Sequence, residues 1–163
     1  MWNGEFYIYK KTGEKLSRVE QLMFIHELAE ENGIFYLEDP FDEDDFVTFA
    51  ALHTRLPKKL IVGDDLYCTN KERLMKGIEM KATNGIIIKP NQVGTISDVI
   101  EVVKIAKKHN IKTIVSHRSG ETEDPILAHI AVGLNSEFIK LGIAGERTVK
   151  INELIRIEEK ILK

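Results

Sequence analysis

Short apolar runs alternate with longer amphipathic segments along nearly the whole chain, and the breakers fall between them. Ser17, with Glu20 three residues on, makes a capping-box pattern, and Val19, Leu22, Met23 and Leu28 mark one helical face that Gly33 ends. Ile34, Phe35, Tyr36 and Leu37 read as a buried strand that Pro40 cannot continue. The unit then recurs: a helix over 44–56, a strand over 60–63, a helix after 70, a strand over 85–88 and a helix from 95 to 110. A strand over 112–115, a helix over 125–134, a strand over 138–139 and a last helix over 149–162 complete it, and a short hairpin is expected over 5–10.

Strands this apolar, alternating with helices, predict a parallel α/β sheet with right-handed crossovers, in a single domain over 1–163. An open doubly wound sheet fits the same alternation, but its nucleotide-binding versions want a Gly-rich loop after a strand, and the chain has none of that pattern. A barrel-type sheet of about five βα units is therefore expected.

Composition then narrows the function classes. A chain with 43% hydrophobic and 30% charged residues suits a packed core rather than disorder. A net charge of −3 with scattered basic residues offers no field for a nucleic acid backbone. No run approaches the roughly 20 apolar residues that span a bilayer, and the start has no signal-peptide core, so a cytoplasmic protein binding neither nucleic acid nor membrane is expected. Cys68, the single cysteine, excludes an internal disulfide and a paired-cysteine metal knuckle, which leaves a structural thiol as the expectation.

Parallel βα folds place their chemistry at the C-terminal ends of the strands. Five apolar runs end there on a usable residue, namely Glu38, Asp64, Lys89, His117 and Lys140, at intervals of roughly 25 residues, about one βα unit each. Glu38 and Asp64 on neighbouring strand ends offer the anionic oxygens that a hard cation such as Mg2+ requires; the alternative is that they cap helices or face water. Lys89 emerges from three isoleucines ahead of Pro90, where burial disfavours an ammonium and favours the amine that a general base needs. His117, Arg118 and Ser119 combine a titratable ring, a guanidinium and a hydroxyl suited to gripping phosphate. His26, His53, His109 and His129 fall on predicted helices and are assigned packing or surface positions.

The segments LEDPF, VGDDL with Thr69-Asn70 soon after, IIIKPNQVGT, SHRSGETED and ERTVKINELIRIEE stand in this order, and together they resemble the C-terminal half of enolase from about Gly4 onward. The resemblance implies a partial enolase-type TIM barrel and the Mg2+-dependent dehydration of 2-phosphoglycerate to phosphoenolpyruvate. It implies Glu38 and Asp64 as two of three Mg2+ carboxylates and Lys89 as the base that takes the C2 proton. It further implies His117 as a substrate-proximal ring, Arg118 and Ser119 as phosphate and second-metal contacts, and Lys140 as the contact to the substrate carboxylate. Repulsion between Lys89 and Lys140 is expected to help keep one of them neutral.

Enolases also carry an N-terminal domain and first barrel strands, which hold the third metal carboxylate and the acid-side glutamates, and nothing in this sequence matches them. The loop after Lys140 departs from the KTGAP pattern that enolases often show and is shorter, with Glu146 and Arg147 restoring the register. The resemblance therefore implies a lyase that needs a complementing N-terminal half or self-association. The alternative is a catalytically inactive truncated paralogue, acting as a Mg2+- or phosphate-binding module or as a protein-interaction module through open strand edges.

Overall fold

The computed structural model describes residues 2–163, and its architecture follows from where the breakers sit. Strands β1 (Tyr7–Tyr9) and β2 (Glu14–Leu16) form an antiparallel hairpin with Tyr7 opposite Leu16. The expected hairpin over 5–10 is thus displaced, because the turn falls at Gly13, whose φ of +75° suits a residue without a side chain. Five further strands then build one parallel sheet in chain order: β3 (Tyr36–Glu38), β4 (Leu60–Gly63), β5 (Gly85–Ile88), β6 (Lys112–Ser116) and β7 (Phe138–Lys140). This is the expected barrel-type sheet, a half-barrel with β3 and β7 at its two edges.

Helices α1 (Arg18–Glu31), α2 (Phe46–Arg55) and α3 (Lys71–Met80) connect the first strands. A short α4 (Pro90–Val93), α5 (Ile96–Lys108), α6 (Ile126–Gly133) and α7 (Thr148–Ile161) follow, the last preceded by a 3-10 turn at Gly145–Arg147. Four starts are set by one device: the side chains of Ser17, Asp45, Asn70 and Thr95 accept from the amides of Glu20, Thr48, Arg73 and Asp98. At Ser17 the full capping box forms. Pro90 opens α4 at a position where its missing N–H is no loss, a turn that the sequence pattern did not foretell.

The sheet has two distinct faces. Ile61, Ile86, Ile88 and Val115 belong to the large core under the helices, while Leu60, Val62, Ile87 and Ile114 form a small separate cluster flanked by Tyr36. Both faces of β4 and β5 are therefore covered, which explains why their sequences are continuous apolar runs rather than alternating ones.

At the edges the expectations change. The run from Ile34 is expected to be a buried strand, yet Phe35 is 57% exposed, because among the described residues no strand pairs beyond β3. Of the α1 face marked by Val19, Leu22, Met23 and Leu28, Leu22 is buried as expected while the other three are largely exposed, and Gln21 and Ala29 are buried beside it. Cys68 is exposed rather than packed, with φ of +46° and its thiol donating to the Asp65 carbonyl at 3.3 Å. Among the described residues no helix is long and apolar enough to cross a membrane.

Tyr67 pins β4 to α3. Its ring is fully buried, its hydroxyl meets Thr83 Oγ1 at 2.7 Å, and it occupies the space left by two glycines. A Cβ at Gly63 would stand 2.6 Å from the ring, and one at Gly77 would collide with the hydroxyl. Replacing a helix-interior glycine by alanine ordinarily gains up to about 1 kcal/mol. Here overpacking against a buried ring costs about 1–3 kcal/mol, so Gly77→Ala should lower the urea midpoint, and adding Tyr67→Phe should recover part of the loss.

Candidate functional site

In-register parallel pairing brings the strand ends to one rim. Glu38 and Lys140 are the last residues of β3 and β7, while Asp64, Lys89 and His117 each follow directly on β4, β5 and β6. Glu38 pairs in register with Val62, Ile88 with Val115 and Ser116 with Lys140, so all five expected positions lie on the same edge of the sheet.

Four of their side chains form two ion pairs. Lys89 Nζ donates to Asp64 Oδ2 at 2.5 Å, with 13% and 10% of the two side chains exposed. Lys140 Nζ donates to Glu38 Oε1 at 2.6 Å, linking opposite edges of the sheet. The lysines, expected to repel one another, are thus each held by a carboxylate. Tyr36, two residues before Glu38 and so on the same strand face, donates its hydroxyl to Glu38 Oε2 at 2.8 Å. Behind Lys89, Thr69 Oγ1 accepts from the Lys89 amide at 2.9 Å and donates to Gln92 at 2.8 Å, which fixes the backbone that carries the lysine.

The protonation pattern follows burial first and partners second. Burial pushes Glu38 upward, but the hydrogen bonds from Lys140 and Tyr36 outweigh it and hold the carboxyl below its ordinary range. Burial raises Asp64, against the pull of Lys89. Asp39 is pushed up to about 6 by burial, even though its two oxygens accept the amides of Asp64 at 2.9 Å and Asp65 at 2.6 Å. Burial, and then its bond to Glu38, raise the Tyr36 hydroxyl well above the phenol range.

His117 joins the rim through its backbone amide, which donates to the Lys140 carbonyl at 3.2 Å, and its Nδ1 accepts from Arg147 Nε at 2.9 Å. Burial and then the Arg147 charge hold its ring below the ordinary histidine range. Arg118 and Ser119 lie exposed on the following loop, with Arg118 donating to Asn91 Oδ1 at 3.2 Å. That loop is tied down from beneath: the buried Lys150 donates to the Thr122 carbonyl at 2.5 Å, and Glu121 accepts from the amides of Arg118 and Thr122. The structure thus unites Glu38, Asp64, Lys89 and Lys140 as ion pairs, sets His117 beside them, and leaves Arg118 and Ser119 facing solvent.

The acidic groups fit a divalent cation. Among the described residues the buried Asp64 Oδ1 has no hydrogen-bond partner, an arrangement that leaves an anionic oxygen to be satisfied by a further group. Carboxylate oxygens of Asp39, Asp64 and Asp65 lie within 4.8 Å of one another, and the Glu38 and Asp64 carboxylates are close enough to act on each other. Asp39, which the sequence reading missed, sits at φ of +42° and uses both oxygens to clamp the turn that presents Asp64. Its position beside Glu38 was the available signal. No signal in the sequence pointed to Arg147 as a partner of His117.

A family model described as Enolase, C-terminal TIM barrel domain, matches residues 5–163. The chain is 50% identical to the enolase of Picrophilus torridus over 99% of its own length. It is 52% identical to the enolase of Pyrobaculum aerophilum over 96% and 50% identical to that of Archaeoglobus fulgidus over 98%. It spans 40%, 38% and 39% of those three relatives, so the match concerns one part of a longer protein.

Asp39 makes the stability of the fold sensitive to pH. An aspartate ordinarily titrates at about 3.9, and folding raises this one to about 6. The native state therefore holds the proton more tightly, and the associated stability is present below about pH 4 and lost as pH rises through 6. Glu38 runs the other way, its contribution disappearing as pH falls below the ordinary carboxylate range. Asp39→Asn should have a lower urea midpoint overall, because an amide can accept only through its oxygen, and should show a shallower decline between pH 4 and 6, with the share of the raised Asp64 remaining. A slope unchanged from the wild type would assign that decline to another group.

Proposed function

The chain belongs to the enolase family, and from that premise we propose that its rim supplies the base and metal side of an enolase-type lyase. The reaction is the dehydration of 2-phosphoglycerate to phosphoenolpyruvate. The observation that carries this reading is the convergence of Glu38, Asp64, Lys89 and Lys140 from four different strands, together with the unsatisfied buried oxygen of Asp64.

Glu38 and Asp64 hold Mg2+ in this reading, and the bound ion supplies positive charge against the substrate carboxylate. Lys89 takes the proton from C2. It is paired with Asp64 at 2.5 Å, so it serves as a base once that carboxylate is engaged elsewhere. Lys140 contributes a second cation where negative charge grows, and Tyr36 keeps Glu38 ionised. His117, Arg118 and Ser119 bind the anionic ends of the substrate, and the loop that carries them is anchored by Lys150 rather than free. As C3 loses its hydroxyl, a proton must reach the leaving oxygen, and none of these residues is assigned that role. Activity therefore requires the remaining barrel strands, whichever polypeptide carries them, since eight strands close the barrel and the described residues form five of them.

A second reading is favoured by the two sheet edges that are unpaired among the described residues, where Phe35 and Phe138 are 57% and 45% exposed. There the chain binds Mg2+, phosphate or a protein partner without turnover.

Turnover of 2-phosphoglycerate with Mg2+ should appear when the chain is mixed with a polypeptide carrying the preceding part of an enolase. Lys89→Ala should then lower the rate by roughly 10²- to 10⁴-fold. No turnover in the mixture would overturn the lyase reading. In the chain alone, Mg2+ at 100 times its dissociation constant should add about 2.7 kcal/mol of stability, visible as a higher melting midpoint that Asp64→Asn abolishes. A rise without turnover would support the binding reading.

A further inference from the structure

Arg147 is placed by the 3-10 turn that follows β7, and it uses all three nitrogens of its guanidinium on different partners. Nε donates to His117 Nδ1 at 2.9 Å, Nη2 donates to the Ser119 carbonyl at 3.0 Å, and Nη1 faces Glu146 Oε1 at 3.1 Å. The backbone makes room for this: a Cβ at Gly142 would collide with the Arg147 side chain. The guanidinium therefore sits in a built slot, anchored by Glu146 and tied to two positions of the loop between β6 and α6.

The direction of the first bond has a chemical consequence. A guanidinium has donors and no acceptor and does not lose its proton in proteins, so His117 Nδ1 must be the accepting, unprotonated nitrogen. The ring proton is left on Nε2. Because the His117 amide is also fixed to the Lys140 carbonyl, both backbone and ring are oriented. We infer that Arg147 is a positioning residue that holds His117 in its Nε2–H tautomer, as a directed hydrogen-bond donor for an anionic oxygen of the ligand. The same guanidinium, through Ser119, sets the loop that bears Arg118. The ligand half of this inference rests on the reading of the rim as a substrate site; the tautomer does not.

A lysine at 147 could not reproduce the arrangement, since a single ammonium lacks the fork that spans three partners. Removal of the donor frees the ring to exchange tautomers, as the hydrogen bond at one nitrogen sets the state of the other.

The test is nitrogen-15 magnetic resonance of the full chain, at a pH well above the ordinary histidine range. His117 should show one tautomer, with the proton on Nε2, and a through-hydrogen-bond coupling between Arg147 Nε and His117 Nδ1. Arg147→Met should abolish the coupling and yield a mixture of tautomers. Gly142→Ala, which crowds the slot while keeping the guanidinium, should do the same, so the result does not depend on one variant folding. Unchanged methyl signals from Ile87 and Val115 report an intact sheet. Inorganic phosphate should shift the Nε2 resonance of the wild type and shift it less in Arg147→Met.

A proton on Nδ1 in the wild type, or a tautomer population that neither substitution changes, would overturn the inference. A phosphate response equal in wild type and variant would overturn its ligand half. None of these readouts needs turnover, so an inactive mixture in the lyase assay would count against the proposed reaction and leave the tautomer result standing. If turnover is present, Arg147→Met should reduce kcat/KM by about 10- to 100-fold, the range seen when a group that orients a ligating histidine is removed, and Arg147→Lys should not restore it.

Discussion

The Lys140–Glu38 ion pair joins the two outermost strands of a five-stranded sheet at 2.6 Å. Neighbouring strands stand about 4.8 Å apart, so four gaps in a flat sheet would leave β3 and β7 roughly 19 Å apart, farther than a lysine and a glutamate can reach across. The contact exists because the sheet is bent into half a barrel. Strand twist supplies part of that bend, and the strands are only three to five residues long. The face opposite the helices supplies the rest. Gly85 lies there against Val62, with a Cβ at that position only 2.8 Å from the valine methyl, so a side chain at 85 would force the inner surface apart.

Once bent, the sheet brings together charges that would each be poorly solvated alone. Two carboxylates and two lysines become two pairs, and Lys89 and Asp64 each face an opposite charge at a position with little exposure. The pairing is incomplete in one respect, the buried oxygen of Asp64, and that atom is where a cation can be satisfied. Asp39 and Arg147 act one layer behind, the first shaping the turn under Asp64 through two backbone amides, the second orienting His117. Rim chemistry and backbone architecture are thus the same network.

The flanks carry the cost of an open barrel. Phe35 and the α1 face at one edge, and Phe138, Ile155 and Leu162 at the other, expose apolar area where a closed barrel would have further βα units. The hairpin is fastened next to the first edge: Tyr7 accepts from the Asp42 amide, and Tyr9 reaches Gln21, which in turn donates to the Pro40 carbonyl. These bonds tie the hairpin to the loop that leaves β3.

Element order, the strands over 60–63 and 85–88, and the caps at Ser17, Asn70 and Thr95 were legible in the chain because each depends on local chemistry: an apolar run, a breaker or a side chain that reaches an amide three residues on. The same holds for the strand-end positions of Glu38, Asp64, Lys89, His117 and Lys140, since parallel pairing forces strand ends to a common edge. Burial at the edges was not legible, because whether Phe35 or Val19 is covered depends on a neighbour, not on the residue. Nor were the partners Lys140–Glu38, Lys89–Asp64 and Arg147–His117. By itself the sequence determined which residues stand at the rim. Only the tertiary structure decided which of them touch, because contact across strands depends on the curvature of the sheet and the path of the loops, quantities that no local pattern of residues encodes.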